Sequence, residues 1–116
     1  MTTNQIRVKI KQRRLQMLVH SCIYYVLDSN IVSDSTWSKW ALELRDLQNK
    51  YPEISKEVEY AEYFKDWDGS SGAFLPIHED WVMQKAYKVL SVHRETATIK
   101  PKTTIVKTKK SSMALF

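Results

Sequence analysis

Both glycines of the chain fall within one four-residue window, Gly69 to Gly72, and only three prolines accompany them in 116 residues. A strand-and-turn architecture needs glycine, asparagine or proline punctuation at short intervals, and this chain has little of it. The predicted fold is therefore mostly α. It is a small helical domain of about four helices, broken by one irregular glycine-containing loop and followed by a basic, extended C-terminal tail. Residues 1–96 form the expected domain and residues 97–116 the tail, extended or disordered.

The apolar spacing places the helices. Ile6 and Ile10, then Leu15, Leu18, Val19, Cys22, Ile23 and Val26, recur at three and four over Asn4–Leu27. Lys9, Arg13 and Arg14 fall between them and are expected to be solvated. Asp28-Ser29-Asn30 ends this helix, because such side chains compete for backbone hydrogen bonds. A second helix opens at Ser33-Asp34-Ser35, where either Ser33 or Asp34 is a suitable N-cap. Trp37, Trp40, Ala41, Leu44 and Leu47 form its apolar stripe, and Pro52 is expected to stop it. Ser55 can cap a third helix from Lys56 to about Phe64. A fourth is expected from about Glu79 to His93, with acids in its first turn and bases near its end. From Thr96 the pattern weakens to that of a short strand or an extended tail. Between the third and fourth helices, "KDWDGSSGAFLP" carries Trp67, Phe74 and Leu75, so it is expected to fold back onto the core.

Thirteen aromatic residues give so short a chain large side chains to bury. The one cysteine, Cys22, has no partner for an internal disulfide, and a reducing, cytoplasmic location is the simpler expectation. No apolar run approaches the roughly 20 residues of a membrane span, so no membrane partner is expected. The net charge of +5 is unevenly spread. Residues 1–19 and 97–116 each carry five basic side chains and no acid, while residues 20–96 hold eight bases and thirteen acids. The basic ends are suited to nonspecific contact with nucleic acid, although a solvated helix face and a loose tail explain them as well.

Catalytic signatures are missing. There is no P-loop and no dinucleotide-binding glycine fingerprint. Cys22 and three scattered histidines give no zinc spacing. Asp66, Asp68, Ser70 and Ser71 lie close together, but the later glutamate of a calcium loop is absent, so no metal is expected. Cys22 sits mid-helix among apolar residues, as buried structural thiols do. The chain is not expected to be an enzyme.

One segment carries a more specific pattern. Tyr24-Tyr25-Val26-Leu27-Asp28 is followed by Val32-Ser33-Asp34-Ser35-Thr36-Trp37-Ser38-Lys39-Trp40, then by Glu43-Leu44-Arg45-Asp46-Leu47 and Tyr51-Pro52-Glu53-Ile54. With these elements in register and without a gap, His20–Ile54 resembles the small N-terminal helical (Ia) domain of bacterial NAD-dependent DNA ligases. It covers roughly a third of the chain. The family pattern is a helix ending in Y-x-V-x-D, a loop with I-x-D-x-x-Y-D-x-L, and E-L-x-x-L-E-x-x-x-P-E-L. In the ligases this domain captures the nicotinamide mononucleotide half of NAD, so that a lysine of the next domain can attack the adenylyl phosphorus. Carried over by position, the resemblance implies a ligand-binding group of Tyr24, Tyr25, Asp34 and Trp37. Aromatic rings stack on a flat cationic nicotinamide, and a carboxylate accepts hydrogen bonds from ribose hydroxyls or the amide. Trp37 replaces the usual tyrosine, Ser38 the following aspartate, and Tyr25 stands where some members have histidine. These 116 residues contain neither the nucleotidyltransferase domain nor its lysine motif, and a stand-alone, ligase-related protein of bacteriophage type is expected. It does not reach Asp68–Leu90 or the tail.

Three functions are weighed from these residues. The first is a non-catalytic interaction module, phage-encoded, that binds and inhibits a host protein. Its candidate contact residues are Trp67, Asp68, Phe74 and Trp81, since tryptophan and other aromatics are common interface anchors. The alternative is a module that binds a nicotinamide nucleotide or another NAD-derived ligand, with no other cofactor. The third is nucleic-acid binding through the basic ends. The ligand set also has an ordinary explanation, with Tyr24 and Trp37 as core aromatics and Asp34 as a helix cap.

Overall fold

The computed structural model describes residues 1–98. Of the basic tail expected over 97–116, residues 97 and 98 instead continue the last helix, expected to end near His93, and the remainder lies outside the described residues. The fold is mostly α, with four α-helices, one 3-10 turn and no strand among the described residues.

Helix α1 spans Thr3–Tyr25 and is the central element, packing against both α2 (Asp34–Lys50) and α4 (Asp80–Thr98). Its start is fixed by a capping box: the Thr2 hydroxyl accepts from the Gln5 N–H while the Gln5 side chain accepts from the Thr2 N–H. Ile6, Ile10, Met17, Leu18, Val19, Cys22 and Ile23 are buried along it. They meet Ala41 and Leu44 of α2 and Val82 and Ala86 of α4 in one core, which Phe64, Leu75 and Ile77 extend. The helix ends where Asp28 takes left-handed backbone (φ 51°), a conformation that aspartate and asparagine tolerate better than most side chains. The Ser29 N–H closes back on the Ile23 carbonyl at 2.9 Å.

Two expectations need correction. The third helix, expected over Lys56–Phe64 with Ser55 as its cap, is instead α3, Pro52–Glu57, followed by a separate 3-10 turn at Ala61–Phe64. Proline is disfavoured inside a helix but well suited to its first turn. Pro52 therefore ends α2 and begins α3 at almost the same point. The chain breaks after Glu57, and Tyr60 adopts positive φ (71°) before the 3-10 turn. Ser55 is a buried interior residue of α3.

The second correction concerns Arg14, expected in solvent. It is 1% exposed. Its Nε donates to Gln48 Oε1 at 3.0 Å, and Nη1 donates to the carbonyls of Val58 and Glu59, each at 3.0 Å. Nη2 donates to the Ser55 carbonyl at 3.1 Å and to Ser55 Oγ at 2.6 Å. All five guanidinium donors are used. Arg14 thus satisfies the carbonyls left open where α3 ends, and ties α1 to α2 and α3. Burial lowers its pKa to about 10, which leaves it charged at neutral pH.

The segment from Lys65 to Glu79 folds back onto the core through Trp67 and Leu75 as expected, but Phe74, expected to do the same, points into solvent. Leu75 and Ile77 are buried, and Trp67 Nε1 donates to the Ser71 carbonyl at 2.7 Å. Asp68 Oδ1 accepts from the N–H and hydroxyl of Ser70 at 2.9 and 2.6 Å, and these bonds hold its carboxyl below the usual range. Gly69 has φ +85°, which strains any L side chain. Gly72 is required for space: a Cβ there would lie 1.9 Å from Ser21 Oγ and 3.3 Å from Trp37 Cζ2. The loop therefore lies directly on α1 and α2.

Candidate functional site

That close approach builds a cleft of about 300 Å³ at one end of the molecule. Four elements contribute. The last turns of α1 supply His20, Ser21, Ile23, Tyr24 and Tyr25, and the following loop supplies Ser29, Asn30, Ile31 and Val32. The start of α2 gives Asp34, Trp37 and Ser38, and the glycine-containing loop gives Ser70 and Ser71. All four residues of the ligand set implied by the resemblance, Tyr24, Tyr25, Asp34 and Trp37, line this one cleft.

The local geometry separates ligand roles from scaffold roles. Ser33 is the N-cap of α2, its Oγ accepting from the Thr36 N–H at 3.1 Å. Asp34 is the first helical residue, exposed, and leaves the cap to Ser33. Tyr24 and Tyr25 are 53% and 49% exposed and meet edge to face at 4.8 Å, so neither is a core aromatic. Trp37 is partly buried and packs against the core while also facing the cleft. The scaffold explanation therefore accounts for Trp37 but not for Tyr24, and Asp34 is not the cap, its scaffold role being that of a first-turn acid complementing the α2 dipole. The Tyr25 hydroxyl lies 3.4 Å from Ser71 Oγ, which links α1 to the loop across the cleft.

The polar lining was not foreseen as a set. Ser21 belongs to the cleft wall, but its Oγ is fully buried beneath Gly72 and has no hydrogen-bond partner within the protein. A buried hydroxyl in that state costs stability. Ser70 and Ser71 reach the site from a part of the chain distant in sequence. The glycine pair marked their loop as irregular, but spacing alone says nothing about where such a loop lands.

The candidate partner-contact residues are not a single set of free side chains. Trp67 meets Phe64 edge to face at 5.2 Å, and Trp81 stacks on Tyr60 at 5.2 Å. Asp68 is occupied by Ser70. Phe74 is the exception, at 95% exposed. Much of the basic character of α1 is likewise engaged. Arg7 pairs with Glu57 at 2.7 Å, Lys11 with Glu59 at 2.9 Å, and Arg13 with Glu43, while Arg14 is buried. The Lys11–Glu59 contact raises the lysine pKa and lowers that of the glutamate.

Other chemistry is sparse. Among the described residues, no group of three or more His, Cys, Asp or Glu side chains is placed to hold a metal, and no helix is long and apolar enough to cross a membrane. Cys22 is buried and its pKa is raised by burial, opposite to the shift that activates a thiol.

Comparison with known proteins places part of the chain. A stretch of 52 residues, 45% of the chain, is 38% identical to a DNA ligase of Bacteroides fragilis. A stretch of 49 residues, 42% of the chain, is 35% identical to a DNA ligase of Syntrophomonas wolfei subsp. wolfei. The chain therefore contains a DNA ligase-related region. It spans only 8% and 7% of the lengths of these two curated relatives. No protein-family model and no solved structure matches.

Proposed function

We propose that the chain is a non-catalytic helical module that binds a nicotinamide nucleotide or a related NAD-derived ligand in the cleft between α1, α2 and the glycine loop. The observation that carries this reading is the convergence of Tyr24, Tyr25, Asp34 and Trp37 on one open cleft. Three aromatic rings offer stacking surface to a planar cation, worth about 0.5–2 kcal/mol where a cation meets a ring face. Asp34 offers an acceptor for ribose hydroxyls, and the serine hydroxyls offer both donors and acceptors. Support also comes from the ligase-related region and from the likeness of His20–Ile54 to the nicotinamide-capturing domain of NAD-dependent ligases. Calorimetric titration of the full chain with NAD and nicotinamide mononucleotide tests the reading. Saturable heat, lost in Trp37→Ala and Asp34→Ala, is expected; no heat and no thermal shift at millimolar ligand refutes it.

A second reading is a protein-interaction module, in its concrete form a phage-encoded inhibitor of a host protein. Phe74 favours it, as a large aromatic held almost wholly in solvent by an otherwise well-tied loop. Retention of a specific host protein by the immobilised chain, abolished by Phe74→Ser, is the expected result; equal retention by the variant removes the basis for this reading. Nucleic-acid binding ranks third. Several basic side chains of α1 are paired within the fold, and that reading rests mainly on the tail.

A further inference from the structure

The charges around the cleft restrict what it can hold. Asp34 is the one carboxylate in the lining, and no lysine or arginine lines it among the described residues. Lys39, one residue beyond Ser38, is exposed and outside the lining. The positive end of the α2 dipole, equivalent to roughly half an elementary charge, is the other source of positive potential there. Asp34 stands on that first turn with a full negative charge. A phosphomonoester brings about 1.5 to 2 further negative charges at neutral pH and meets Asp34 but no lysine or arginine among the described lining residues.

The remaining lining suits a different group. Tyr24, Tyr25 and Trp37 supply ring surface, and Ser70 and Ser71 supply hydroxyls. Rings beside one carboxylate attract a flat cation. The hydroxyls can donate to and accept from sugar hydroxyls and a carboxamide, and the discrimination against a phosphate comes from the Asp34 charge.

We propose that the preferred occupant is the phosphate-free pyridinium nucleoside, nicotinamide riboside, with Asp34 selecting its positive charge and disfavouring the 5′-phosphate. The proposal rests on the nicotinamide reading above and sharpens it from nucleotide to nucleoside.

Calorimetric titration of the full chain with nicotinamide riboside, its neutral reduced form and nicotinamide mononucleotide tests it. The riboside is expected to bind at least tenfold tighter than either of the others. Asp34→Asn, with an unchanged melting temperature, is expected to erase most of that preference. Equal or tighter binding of the mononucleotide overturns the nucleoside proposal and leaves the nicotinamide reading standing. Equal binding of the reduced riboside, or a preference that survives Asp34→Asn, overturns the role of Asp34 in charge selection and with it the proposal. Binding of none of the three overturns both readings.

Discussion

The guanidinium of Arg14 donates to both the carbonyl and the hydroxyl of Ser55, at 3.1 and 2.6 Å, with no carboxylate in the arrangement. A full positive charge is held in the protein by neutral oxygens at the end of a six-residue helix. This is favourable only while every donor is matched, because an uncompensated buried polar group costs about 1–3 kcal/mol.

Arg14→Met is therefore expected to cost roughly 3 kcal/mol, since it leaves the Val58 carbonyl and the Ser55 hydroxyl without their buried donor and removes a donor from the Ser55 and Glu59 carbonyls. Arg14→Lys should recover only part of the loss, because one ammonium cannot reach the same set of acceptors. Urea denaturation followed by circular dichroism measures both, and a change of less than about 1 kcal/mol in Arg14→Met contradicts the structural role assigned here.

Ser33 and Asp34 should separate cleanly in mutagenesis. Ser33→Ala removes the cap of α2 and is expected to lower stability by about 1 kcal/mol. Asp34→Asn leaves the cap in place and is expected to cost less than about 0.5 kcal/mol while weakening ligand binding by tenfold or more. Paired thermal melts and titrations check this; the opposite pattern would return Asp34 to a scaffold role.

Gly72→Ala tests the seating of the loop. The new methyl would lie 1.9 Å from Ser21 Oγ and 2.7 Å from Ser21 Cβ, so the loop must lift. Overpacking of this kind costs about 1–3 kcal/mol. Ser21→Ala removes the nearer clash but not the second, so the double variant should be only partly rescued. Trp67 fluorescence and ligand affinity report loop displacement independently of global stability.

Ser38 lines the cleft at the position where the ligase pattern carries a second acid. Ser38→Asp is expected to tighten binding of the cationic nucleoside by roughly tenfold, equivalent to about 1.4 kcal/mol. No gain would mean that Ser38 does not face the bound sugar or ring.

Acid should loosen the glycine loop. Ser70 lowers the pKa of Asp68 below its ordinary 3.8, so the stabilising contribution is present above that value and is lost as pH falls through the lower folded value. Asp68→Asn should abolish the corresponding low-pH step in Trp67 emission.

Periodicity was enough to place α1, α2 and α4 because apolar residues recur at three and four along each, although α1 is buried on all sides over Gln16–Ile23 as the central helix. Arg14 was not legible. Its neighbours Lys9 and Arg13 form a basic cluster of the kind that is usually solvated, and its acceptors lie on elements more than 30 residues away. Pro52 was ambiguous for a local reason, since one residue serves as stop and start. The cleft was legible in its aromatic and acidic half, where Tyr24, Tyr25, Asp34 and Trp37 keep the register of a known pattern. Its serine half depends on a tertiary approach that only the space at Gly72 records.

That approach makes the ligase-like helical pair incomplete by itself. Transplanted alone onto another scaffold, residues 20–54 would carry Asp34 and the rings but leave Ser70 and Ser71 behind, with the face that Gly72 covers laid bare. The cleft is thus discontinuous in the chain: the ends of two helices carry its rings and carboxylate, and a segment some twenty residues beyond α2 closes it with serines.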